Sequence, residues 1–242
     1  MAIPKKLIQF ANRGYVDKSI EENIRHIKQL NKGWTHILFD EIQAKEFIEN
    51  NYGSFVVDTF HSISDNYWPA RADLFRYLIM FKFGGVYLDI KSSMSKPLDS
   101  FLRESDDYLL SHWGKSFPGW GNHPELGRLP CFQQWFIICS PSHPFLSLTL
   151  ANVLENIRHY EPGRVGVGKK GVLRLTGTIP YSRSIYRLKN FHPYRIFDSE
   201  KVGLIYSIFG TKENPLKHEN KTNNHYSRQT SAIIKKVNGT SK

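Results

Sequence analysis

The sequence predicts an α/β fold, built as a sandwich of helices around a mostly parallel sheet. Two observations carry that expectation. Short apolar runs alternate with amphipathic stretches through the first half of the chain, the pattern of parallel strands joined by crossover helices. The chain is also long and apolar enough to enclose one large core. At 242 residues, with 40% apolar and 14% aromatic side chains, folding should remove roughly 70–75% of the unfolded surface from water, so neither disulfides nor metals are needed to hold it. Charged residues at 23% exclude wholesale disorder. No repeat and no Pro-, Gly- or Ser-rich linker divides residues 1–242, which read as a single domain.

The elements follow in order. Leu7 to Phe10 is a short apolar strand. Ser19-Ile20-Glu21-Glu22 has the spacing of a capping box, and Ile20, Ile24, Ile27 and Leu30 then share one helical face. Trp34 to Phe39 reads as a strand and Ile42 to Ile48 as a second helix, whereas Tyr52 to Ile63 reads as a partly extended linker. Pro69 to Phe83 is the clearest helix, with Pro69 at its first position and Gly84-Gly85 ending it. Val86 to Ile90 follows as a strand. Further on, Tyr108 to Ser111 and Phe132 to Ile138 read as strands flanking an aromatic, Gly-rich loop, Trp113 to Pro130. Pro144 to His159 and Tyr181 to Leu188 read as helices and Val202 to Phe209 as a late strand, with little regular structure expected from Thr211 onward.

Charge is unevenly placed. The chain carries 33 basic and 22 acidic side chains, a net +11. Residues 158–189 hold eight basic residues against one acidic, and the tail, about 212–242, seven against two, while the remainder is almost neutral. Such segments are either solvated loops and a frayed tail, or a site for an anionic partner. Cys131 and Cys139 stand eight apart in one apolar run, too far for a disulfide if that run is a strand. No stretch has the length of a signal peptide's apolar region or of a membrane span. The expectation is a reduced, cytoplasmic chain without a transmembrane segment, making at most peripheral membrane contact.

Chemistry concentrates around the clearest helix. Asp73 and Arg76, three apart, share a helical face. Asp89 closes the next strand, where open α/β sheets place ligands, and Tyr87 projects from the same side. Carboxylates, an arginine and a tyrosine converging on one crevice suit a polyhydroxylated ligand attached to phosphate. The same spacing is also met by an Asp–Arg pair that merely ties helix to loop.

The stretch ARADLFRYLIMFKFGGVYLD, residues 70–89, resembles the hallmark of sugar transferases with a DXD motif, typified by glycosyltransferase family 32. IPKKLIQF resembles their opening strand and Lys96 to Asp99 the segment after the motif; Thr176-Gly177-Thr178 echoes a later turn. The resemblance implies a GT-A-like (Rossmann-like) α/β/α fold. It implies transfer of a hexosyl or deoxyhexosyl unit from a UDP- or GDP-linked donor to a saccharide or glycan acceptor, as in glycan or polysaccharide synthesis. Asp73, Arg76 and Asp89 would be the catalytic residues, and Phe10, Tyr87 and Lys91 would join them in binding the donor. A divalent cation, Mn2+ or Mg2+, would sit at Asp89 with His225, Asp99 and His218 being the other candidate ligands. Trp113 and Trp120 are candidates for the acceptor loop, because sugar rings stack on aromatic faces.

The sequence also departs from that pattern. Asp89-Ile90-Lys91 stands where the motif asks for Asp-x-Asp, so an ammonium replaces a carboxylate. Ile8 and Ala11 replace a histidine and a tryptophan common in such opening strands. Lys169, Lys170, Arg174, Arg183, Arg187, Lys217 and Lys221 are then candidates to meet the donor's diphosphate. Gly163 to Lys170 nearly spells a P-loop, but Lys170 replaces the required Ser or Thr, and the segment reads instead as a flexible flap. Two alternatives remain. One is an inverting transferase using Asp106, Asp107 or Glu125 as base. The other is a non-catalytic binder of sugar nucleotides or nucleic acid, although no nucleic-acid motif is present and no nucleic-acid partner is expected.

Overall fold

The computed structural model describes residues 2–12, 16–210 and 226–235. Strands β1 (Lys6–Phe10), β2 (Thr35–Phe39) and β3 (Gly85–Leu88) are connected through helices α1 (Lys18–Leu30), α2 (Glu41–Asn51), α3 (Ser54–Ser62) and α4 (Trp68–Phe83). The short strands β4 (Ser93–Met94) and β5 (Tyr108–Leu110) and the four-residue β6 (Phe136–Cys139) follow. Helices α5 (Pro144–Arg158), α6 (Pro162–Val165), α7 (Gly168–Leu175) and α8 (Thr178–Leu188) and strands β7 (Arg195–Ile196) and β8 (Leu204–Ile205) complete the order.

Six strands form one sheet in the order β2-β1-β3-β6-β5-β7, with β6 alone reversed, so the sheet is mostly parallel as expected. Alternation along the strands divides the core. Ile8, Phe10, Tyr87 and Ile137 face a large cluster with α2, α3, α4, α5, α7 and α8. Leu7, Val86, Leu88 and Ile138 face the opposite cluster with α1 and residues 94–102 and 197–204. That is the expected α/β/α sandwich.

Local chemistry explains the elements and several differences. Asp17, not the Ser19 box, caps α1, its carboxylate accepting from the Ile20 N–H at 3.0 Å; the true capping box is Asp40 with Gln43 at α2. Residues expected as a linker form α3, because Phe60 and Thr59 find a buried face that no local pattern announces. Gly84 and Gly85 end α4 with φ of 60° and 98°, and a Cβ on Gly85 would lie 2.5 Å from the Lys6 carbonyl oxygen, so β3 enters against β1 only through glycine. The P-loop-like segment is no flap. Gly163 to Val165 lie in α6 and Gly168 to Lys170 open α7, whose first N–H, on Gly168, donates to the Tyr67 hydroxyl at 3.0 Å. The late strand shrinks to β8, paired antiparallel with β4.

Residues 226–235 are likewise not a frayed tail. Ile233 is wholly buried, the Ser64 N–H donates to its carbonyl at 2.8 Å, and the Tyr67 hydroxyl donates to the Ser231 carbonyl at 2.7 Å. Cys131 and Cys139 are both buried free thiols. Among the described residues no helix is long and apolar enough to cross a membrane.

Candidate functional site

β3 ends at Leu88 and delivers Asp89 to the carboxyl edge of the sheet. The Asp89 backbone is fixed there: its N–H donates to the Trp135 carbonyl at 2.8 Å, and its own carbonyl accepts from Ser92 N–H at 2.8 Å and from the Gln9 side chain at 3.4 Å. Tyr87 shares its face, and the Tyr87 hydroxyl donates to Asp89 Oδ1 at 3.3 Å. Helix α4 is buried from Ala70 to Met80, so it carries Asp73 and Arg76 inside, at 4% and 5% exposure.

Arg76 joins the two carboxylates. Its Nη2 donates to Asp89 Oδ1 at 2.8 Å, its Nη1 donates to the Gln134 carbonyl at 2.7 Å, and Nη1 stands 3.5 Å from Asp73 Oδ1. Arg76 Nε is buried without a partner among the described residues. Asp73 accepts from Thr176 Oγ1 at 2.8 Å and from Gln134 Nε2 at 3.2 Å. Gln134 Oε1 in turn accepts from the Tyr77 hydroxyl. Burial pushes the Asp73 carboxyl up to about 6, against the opposing pull of Arg76 and Thr176. Burial also works against the Arg76 charge, but Asp89, Tyr87 and Asp73 outweigh it and hold the guanidinium firmly protonated. Tyr87 is pushed up by burial and stays a neutral hydrogen-bond donor.

Asp89 differs from its partners in being open. Its side chain is 20% exposed, and Oδ2 takes no hydrogen bond from a described residue. Two residues on, the Lys91 ammonium donates to the Tyr206 hydroxyl at 3.0 Å and lies 4.3 Å from the centre of that ring. Tyr206 sits among Trp113, Phe117, Trp120 and Trp135, with ring centres 5.3, 5.8, 5.7 and 5.7 Å away. The structure therefore links both acceptor-loop candidates, Trp113 and Trp120, to the Asp89–Lys91 turn.

Other expected residues lie elsewhere. Phe10 is 2% exposed and packs between Trp68 and Phe75, so its ring is a core group and not an open donor contact. Asp99 accepts from Lys5 and from the Trp34 indole. His218, His225, Lys217 and Lys221 lie outside the described residues. Arg174 and Arg183 both donate to Glu125 and, with Arg164, Arg187 and Asn156, line neighbouring grooves of about 560 and 520 Å³ that include none of Asp73, Arg76 and Asp89. Asp106 is paired with Arg195, and Asp107 accepts from Ser140. The three candidate bases are thus each tied into a local pair.

A divalent cation prefers several oxygen ligands. Among the described residues no three His, Cys, Asp or Glu side chains come together, and the turn itself offers one open carboxylate oxygen beside an ammonium. Among the described residues no cation site is made. Gln134, Gln9, Tyr77 and Tyr206 were not singled out from sequence; an amide pair, Gln133-Gln134, inside an apolar run was the available signal, because buried amides must be hydrogen-bonded.

Fold and site together define a domain with the GT-A-like glycosyltransferase fold. The glycosyltransferase domain of the YGT toxin, solved bound to UDP, superposes with a TM-score of 0.59 at 7% identity, over 86% of this chain and 81% of that one. The PaToxG glycosyltransferase gives 0.56 at 15% identity, over 77% and 70%. Residues 17–108, which contain Asp73 to Lys91, match the family described as the glycosyltransferase sugar-binding region containing DXD motif. The chain is 29% identical over 128 residues to inositol phosphoceramide mannosyltransferase 1 of Schizosaccharomyces pombe, covering 53% of this chain and 34% of that protein. It is 23% identical over 209 residues to the initiation-specific alpha-1,6-mannosyltransferase of the same yeast, covering 81% and 51%. The resemblance read from residues 70–89 holds, and the chain spans about a third to a half of the length of these curated relatives.

Proposed function

We propose that this protein is a glycosyltransferase that moves a hexosyl unit from a nucleoside-diphosphate sugar to a hydroxyl of a saccharide or glycan. The observation that carries the reading is the Asp73–Arg76–Asp89 network at the carboxyl end of β3, buried and satisfied on one side and open at Asp89 Oδ2. The mannosyltransferase names of the yeast relatives favour mannose as the hexosyl unit moved.

In this reading Asp89, open at Oδ2, meets the donor's hydroxyls, and Arg76 with Asp73 behind it holds that carboxylate in place. The bond between the anomeric carbon and the diphosphate oxygen breaks, and its electron pair leaves with the nucleoside diphosphate. The acceptor oxygen forms the new bond, and its proton passes to the departing phosphate oxygen. Trp113 and Trp120 offer the acceptor's apolar ring face a surface beside this point. No step is assigned to a divalent cation.

Calorimetric titration with GDP-, UDP- and CMP-sugars tests the reading. It expects saturable binding of one class, with anomeric analysis of the product by NMR deciding retention against inversion. Failure to bind any of them overturns it.

A further inference from the structure

On the resemblance of residues 70–89, the Asp-x-Asp pattern would place a second carboxylate where this chain has Lys91. That exchange raises the local charge by two units, which is the charge a divalent cation brings. Among the described residues the side chains at the turn balance: Asp73 and Asp89 oppose Arg76 and Lys91. An anionic diphosphate approaching this turn meets a neutral site with an ammonium on it, where two carboxylates would repel it unless a cation intervened.

Lys91 is also held in place, as a preorganised phosphate contact requires. Its ammonium is held by the Tyr206 hydroxyl and ring. Tyr206 is positioned by pairing of β8 with β4, Ser93 opposite Ile205 and Met94 opposite Leu204. Two bonds tie the same segment to the turn: Ser92 Oγ donates to the Tyr206 carbonyl at 2.6 Å, and Ile208 N–H donates to the Lys91 carbonyl at 2.9 Å. Four aromatic rings, all edge-on to it, pack around the Tyr206 ring. A solvated lysine needs none of this support.

We propose that Lys91, braced by Tyr206, is the cation that receives the donor's diphosphate, and that this protein binds nucleoside diphosphates without a divalent metal. The inference rests on the sugar-transfer reading. Lys91 is the contacting group, and Tyr206 is a positioning residue.

The test is calorimetric binding of GDP and of UDP to the full chain, each in EDTA and in Mn2+. The wild-type affinity for the nucleotide that binds should be the same in both buffers to within about threefold, well under the tenfold that 1.4 kcal/mol would give. Lys91→Ala should weaken binding in EDTA by about 10- to 100-fold, the range of a lost charge-assisted bond. Lys91→Asp should bind poorly in EDTA and recover in Mn2+, a cation dependence that loss of folding cannot create. Tyr206→Phe, which keeps the ring and removes the hydroxyl, should lower affinity in EDTA several-fold, and Mn2+ should restore none of it. Wild-type binding that requires Mn2+, or Lys91→Ala binding as tightly as wild type in EDTA, overturns the proposal while leaving the transferase reading intact. Binding of neither nucleotide in either buffer overturns both.

Discussion

Two Asp–Arg pairings beside the six-stranded sheet, Asp106 with Arg195 and Asp89 with Arg76, behave differently in the fold. Arg195 grips Asp106 with two bonds, Nε to Oδ1 at 2.7 Å and Nη2 to Oδ2 at 2.5 Å, while the Arg103 N–H donates to Oδ2 at 2.8 Å. Both carboxylate oxygens are consumed, and the pair fastens β7 to the segment before β5. Burial pushes the Asp106 carboxyl up, but Arg195 and the Arg103 N–H outweigh it and hold it below the usual range. Arg76 instead shares itself between Asp89, Asp73 and a carbonyl, and leaves one Asp89 oxygen open. A carboxylate with both oxygens taken is a tie; one with an oxygen open to the solvent, as at Asp89, can receive a ligand.

The same substitution at both places should break the symmetry. Asp89→Asn keeps shape and removes charge, and should weaken nucleotide-sugar binding by about 100-fold, the cost of uncoupling a buried charge pair; calorimetry reads it. Asp106→Asn should leave that affinity unchanged and lower unfolding free energy by about 2 kcal/mol in urea titrations, less than for a wholly buried pair because Arg195 is 23% exposed. If Asp106→Asn also impaired binding, the distinction between tie and site would fall.

The two carboxyls also give opposite pH signatures. The raised Asp73 carboxyl binds its proton more tightly in the folded chain, so stability should fall between about pH 4 and pH 6, by on the order of 2 kcal/mol, and change no further above that. Asp73→Asn should remove this slope. Asp106, depressed, contributes stability above about pH 4 that disappears as pH drops through its lowered folded value. Urea midpoints measured from pH 3 to pH 7 for wild type and both variants separate the windows. The smallest expected effect is at the aromatic loop. Trp120→Ala should raise the acceptor KM by about tenfold, one aromatic contact's worth, with donor affinity unchanged.

Much of the site was legible because its residues lie on one continuous helix–turn–strand. Three-residue spacing puts Asp73 and Arg76 on one face of α4, Gly84-Gly85 forces the turn, and two-residue spacing aligns Tyr87 with Asp89. The residues that complete it were not legible. Gln134 and Thr176 reach Asp73 from 61 and 103 positions away, and Tyr206 reaches Lys91 from 115. The basic surplus of residues 158–189 was legible only as a sum; Arg174 and Arg183 gather on Glu125, apart from Asp89.

The sequence by itself determined the layered α/β class, the α4–β3 unit and the charge of its turn, because helix and strand periodicity, glycine punctuation and short spacing are local properties. Only the tertiary structure decided that β6 runs against its neighbours, that residues 54–62 form a helix, that residues 226–235 dock into the core, and which of two Asp–Arg pairs stays open. Each of these depends on partners far apart in the chain, and burial and hydrogen-bond satisfaction exist only once those partners meet.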